Sequence, residues 1–122
     1  MEQKKYWLIY LLVLTCLVSC EYNVEEDLYP QNECDTLQVT YAATIVPILT
    51  MHCYECHAMT LPLSGIPLEG HANIKAQVDG GRLIGAIRHL SGFSPMPKDR
   101  GFLPECDILQ IEKWVADGAP NN

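Results

Sequence analysis

Residues 53–57 read CYECH, that is Cys53-Tyr54-Glu55-Cys56-His57: two cysteines separated by two residues, with a histidine directly after the second. Three chemistries use thiols at this spacing: a metal site, a redox dithiol, and covalent attachment of haem. A structural zinc site wants four ligands, commonly supplied as two such pairs. Beyond the N-terminal region the other thiols are Cys34 and Cys106, each isolated, and there is no second CxxC. His57, adjacent to Cys56, also has poor geometry for joining the same ion. A thioredoxin-like dithiol sits in an alternating strand–helix chain, and no such pattern surrounds CYECH.

Haem attachment fits the order of the residues. Two thiols add across the two vinyl groups of a porphyrin, and a spacing of two residues lets one helical turn present both sulfurs to one ring edge. The adjacent His57 then comes up beneath the iron as an axial ligand, and C-x-x-C-H is the signature of c-type haem. Upstream, YAATIVPILTMHC places Ile45, Ile48 and Leu49 at helical spacing. Pro47 in that stretch should kink the helix or restart it as an N-terminal turn.

The N-terminus bears on where this chemistry occurs. MEQKKYWLIYLLVLTCLVSC has a basic front end at Lys4 and Lys5 and no charge from Tyr6 to Ser19. The apolar run is short for a bilayer span, which needs roughly 20 residues, and the pattern is that of a secretory signal peptide. It ends in Leu17-Val18-Ser19-Cys20, which resembles a bacterial lipobox, and this resemblance implies a lipidated Cys20 at the mature N-terminus. Cys16 would be lost with the signal. Acyl chains buried at about 0.8 kcal/mol per methylene would hold the protein to a membrane. The expected organisation is a signal peptide over 1–19, a lipidated cysteine and acidic tether over 20–36, and one domain over 37–122. The expected location is extracytoplasmic, facing the periplasm or cell surface, where disulfides and covalent haem both form.

Removing the signal takes away Glu2, Lys4 and Lys5 and moves the formal charge from -7 to -8. Residues 21–33 (EYNVEEDLYPQNE) are acidic without an apolar period and read as a solvated tether. So acidic a chain has no electrostatic case for binding nucleic acid, whereas it suits a basic-faced redox partner protein. With Cys20 lipidated and Cys53 and Cys56 on haem, two thiols remain, and Cys34–Cys106 is the expected disulfide.

An electron carrier fills the second axial position of haem iron, whereas a sensor or catalyst leaves it open. Met51 and His52 precede Cys53 directly, and Met59 lies two residues past His57, so none of them reaches the far face. Met96, in FSPMPKDRG, lies between Pro95 and Pro97 in an extended loop and is the expected sixth ligand. His89, ending GRLIGAIRHL, is the second candidate, read otherwise as a helix-end histidine. His71 has only its residue type to recommend it. Arg82, Arg88 and Lys98 are candidate propionate partners, read as surface charges.

YAATIVPILTMHCYECH, the helix GRLIGAIRHL, the loop SPMPKDRG and the terminal segment PECDILQIEKWVADGAP, in that order, resemble a small mono-haem c-type cytochrome of the class I kind, anchored as a lipoprotein. The resemblance covers about residues 39 to 120. It implies an all-α fold of three to five short helices around one covalent haem c, with iron bound by His57 and Met96. It implies electron transfer rather than enzymatic catalysis; the rival reading is a haem sensor or peroxidase-like accessory domain with a labile sixth ligand. In the resembled fold the last helix crosses the one bearing Ile45 and Leu49 and closes the haem pocket. In that helix Pro104 suits the first position, Ile108, Ile111 and Val115 form an apolar stripe joined by Trp114, and Gly118 stops it. Trp114 reads as a core aromatic rather than a cofactor contact. The family's imidazole-orienting proline carbonyl is not clearly placed here, and Pro62 and Pro67 both stand as candidates.

Overall fold

Thr40 starts the helical region that leads to CYECH. Its Oγ1 accepts the Ala43 N–H at 3.2 Å and its N–H donates to Thr44 Oγ1 at 3.3 Å, satisfying donors that a helix start leaves orphaned. The turn Tyr41–Ile45 is wound wide, as a π-helix, with Ile45 N–H reaching Thr40 O and Val46 N–H reaching Tyr41 O. Pro47, which has no N–H to give, then falls in the first turn of α1 (Val46–His52). The proline restarts the helix. Cys53 N–H donates to Leu49 O at 2.8 Å, and α2 (Tyr54–His57) closes with His57 N–H on Cys53 O at 2.9 Å.

The computed structural model describes Tyr6 and residues 34–60 and 65–122. The expected signal peptide, Cys20, most of the tether and Pro62 lie outside these residues. The chain divides into two units, Met1–Glu33 and Cys34–Asn122, and every contact reported below lies within the second. Three further helices follow: α3 (His71–Asp79), α4 (Arg82–Ile87) and α5 (Glu105–Ala116). The described residues are all-α, with no strand and no helix long and apolar enough to cross a membrane.

α5 carries the core. Glu105 and Asp107 complement the dipole in its first turn. Pro104 stands one position earlier than expected, at the N-cap: its extended ψ of 136° keeps it outside the helix while its carbonyl accepts Ile108 N–H at 3.2 Å. Gly118, at φ 92°, ends the helix, and Ala119 N–H turns back onto Trp114 O at 2.9 Å. Ile45, Leu49, Ile74, Ile108, Ile111 and Trp114 are 0–1% exposed in one cluster, and burial of each aliphatic side chain contributes up to about 1.5–3 kcal/mol. α5 packs on the turn Tyr41–Ile45, and α3 packs on α4.

Polar groups close the periphery of this core. Trp114 stacks on Tyr41 with ring centroids 5.7 Å apart and donates Nε1–H to Pro120 O at 2.9 Å. Asn122 caps the first turn, its backbone O accepting Ala42 N–H at 2.9 Å and its Oδ1 accepting Tyr41 N–H at 2.8 Å. Arg88, just past α4, binds Glu112 through Nε and Nη2, both at 2.8 Å, and Glu105 through Nη1 at 2.8 Å. Cys34 and Cys106, 72 positions apart in sequence, form a disulfide with Cα atoms 5.2 Å apart. Closing a loop of that length contributes about 4 kcal/mol in the chain-entropy account.

Candidate functional site

α1 and α2 carry the CYECH side chains to one wall of a cavity of about 660 Å³. Within the motif, Tyr54 packs against the core while Glu55 is exposed at the cavity rim. Cys53, Cys56 and His57 all line the cavity, and Cys53 and Cys56 are free thiols. Burial pushes the Cys53 thiol up to about 11. A redox-active CxxC relies instead on a thiolate stabilised near neutral pH, which the burial of Cys53 does not favour.

His57 is buried, and its Nδ1 lies 2.7 Å from Ile66 O. A carbonyl only accepts, so Nδ1 carries the proton and the lone pair is on Nε2. This is how ligating imidazoles are commonly oriented. The acceptor belongs to neither candidate proline but to the residue before Pro67. Leu68 N–H returns to His57 O at 2.8 Å, tying the same strap to the motif a second time.

Another part of the cavity lining comes from α4 and the loop after it. Leu83 and Ile87 supply apolar surface, Leu103 adds to it, and Met96 is half-buried in the lining. Met96 is held through both of its backbone groups. Its N–H donates to Ala86 O at 3.0 Å, and its carbonyl accepts from His89 Nε2 at 3.0 Å. The cavity therefore brings Cys53, Cys56, His57 and Met96 together.

The other candidates are occupied elsewhere. His89 does not line the cavity, and one of its ring nitrogens is spent on Met96 O. His71 donates to Ala119 O at 2.9 Å and meets the edge of Tyr41, inside the core. His52 lines the cavity beside Cys53 but is held by Asp107 at 3.1 Å. Met51 and Met59 are 75% and 56% exposed. Trp114 is wholly buried away from the cavity, as a core aromatic. Of the three candidate propionate partners, Arg82 and Lys98 line the cavity, whereas Arg88 is engaged by Glu105 and Glu112.

Two residues at the cavity rim were not singled out in the sequence. Arg100 binds Glu55 at 2.7 Å, so the CYECH motif and the Met96 loop are joined by an exposed ion pair. Only opposite charges 45 residues apart could have hinted at it. Among the described residues no group of three or more His, Cys, Asp or Glu is arranged to hold a metal ion. No family model matches the chain, and no curated protein or solved structure is significantly similar to it.

Proposed function

We propose that Cys34–Asn122 is a class I-like c-type cytochrome domain with one haem attached covalently through Cys53 and Cys56, and that its role is electron transfer. The observation that carries the reading is the meeting of both CYECH thiols, His57 and Met96 in one largely apolar cavity. The donor set suits haem iron, which would take one nitrogen and one sulfur ligand from the protein. His57 Nε2 supplies one, with its ring set by Ile66 O. The Met96 thioether supplies the other, and a His/Met pair raises the potential. When bound, the haem supplies a one-electron couple. The chain's part is to hold both ligands, exclude water with Leu68, Leu83, Ile87 and Leu103, and so keep the surroundings of the iron alike in both oxidation states. The doubly anchored Met96 backbone favours a fixed sixth ligand over the labile one a sensor or peroxidase-like domain needs.

The test is to express the exported chain with a cytochrome maturation system, denature it and extract with acid-acetone. Colour should stay with the protein and be lost in a Cys53→Ser/Cys56→Ser variant. Colour that passes into the solvent, or never forms, sinks the proposal. Met96→Ala should lower the potential and admit carbon monoxide. We also propose that lipidated Cys20 anchors the protein to a bacterial membrane. A labelled fatty acid should mark the wild type, and labelling of Cys20→Ala would refute the anchor.

A further inference from the structure

α4 ends in a turn whose conformation ordinarily calls for glycine. Leu90 N–H bonds Gly85 O at 2.9 Å and His89 N–H bonds Ala86 O at 3.2 Å. These are the two hydrogen bonds of a Schellman C-cap, with His89 at the left-handed position, φ 51°. A side chain there strains the backbone in a way glycine does not. The chain nevertheless places an imidazole at that position, and one ring nitrogen and one ring face are engaged. Its Nε2 donates to Met96 O at 3.0 Å, and its ring stacks on Phe102 with centroids 4.0 Å apart and planes at 22°. The Ala86 carbonyl that receives His89 N–H also receives Met96 N–H at 3.0 Å. Both backbone groups of Met96 are thus referred to one turn at the end of α4, and Phe102, which follows the loop in sequence and is itself 65% exposed, covers one face of the imidazole.

We propose that His89 is a positioning residue that holds Met96 in place as a non-exchanging sixth ligand, with Phe102 as its backing. The inference rests on the c-type haem reading above and adds to it how the sixth position is kept shut. Without the imidazole, Met96 keeps its N–H bond to Ala86 but loses the restraint on its carbonyl. Met96 is then held by one backbone hydrogen bond instead of two, and external ligands compete with the thioether on better terms.

The deciding variant is His89→Gly, because glycine is the residue this turn prefers and the cap should survive. In the holoprotein its thermal midpoint should be equal to or above that of the wild type. Its equilibrium affinity for cyanide at the ferric iron should rise about fivefold or more, the weight of one ordinary neutral hydrogen bond. Its reduction potential should move toward that of Met96→Ala, and Phe102→Ala should shift both readouts the same way by less. A His89→Gly holoprotein with wild-type cyanide affinity and potential overturns the positioning role while leaving the function standing. A wild type that never takes up covalent haem overturns both together.

Discussion

Gly85 shows how closely the residues of the site constrain one another. A Cβ added there would lie 2.5 Å from the Phe93 ring, which lines the cavity. Alanine favours a helix interior by about 1 kcal/mol over glycine, but overpacking costs about 1–3 kcal/mol. Gly85→Ala should therefore lower the denaturant midpoint, and the same change in a Phe93→Ala background should be neutral or stabilising. At this scale the sequence singled out Cys53, Cys56 and His57 by their spacing and Met96 by its prolines, and these four residues share one cavity. It was illegible where a backbone group does the work. The Ile66 carbonyl that orients His57 has no residue-type signature, and attention to prolines led to its neighbour. The employment of His89 was hidden for a similar reason, since a histidine at a left-handed cap is recognisable only once the last turn of the helix is located.

At the scale of elements, α5 was readable because its apolar stripe, acidic first turn and glycine stop agree with one another. α3 was not foreseen. Only Ile74 of HANIKAQVD is fully buried, so the segment has almost no apolar period, and packing against α4 rather than its own pattern makes it helical. The wide turn Tyr41–Ile45 was also unreadable, though Pro47 correctly marked a restart. α4 and α5 are joined by the Arg88–Glu112 pair. The hydrogen bonds from Arg88 hold the Glu112 carboxyl below the ordinary carboxylate range. A group depressed on folding adds stability above its unfolded pKa of about 4.3 and loses it as pH falls through the folded value. Glu112→Gln should therefore be less stable than the wild type at neutral pH. The gap should narrow as urea titrations are taken below pH ~4, and a gap independent of pH would contradict the assignment.

Over the whole molecule, net charge does not describe how charge is distributed around the cavity. The cations of residues 34–122 are Lys75, Arg82, Arg88, Lys98, Arg100 and Lys113. Lys75, Arg88 and Lys113 are paired with carboxylates within or at the end of α3 and α5, while Arg82, Lys98 and Arg100 line the cavity, Arg100 in a pair with Glu55. A formally acidic chain thus gathers positive charge around its cavity. A small anionic reductant should lose rate toward an Arg82→Glu/Lys98→Glu holoprotein, and the loss should shrink as salt shortens the Debye length toward about 3 Å at 1 M. An unchanged rate at low salt would show that the surrounding carboxylates dominate the approach.

The Cys34–Cys106 bridge has a mechanical consequence. Any tension along the chain upstream of Cys34 is passed by a covalent link into the first turn of α5, the helix that supplies Ile108, Ile111 and Trp114 to the core. The segment 35–40 and the Thr40 cap are bypassed, so pulling cannot peel them away before the domain yields as a body. A protein tethered at one end and jostled by collisions would keep its cavity undistorted for as long as that sulfur link is intact.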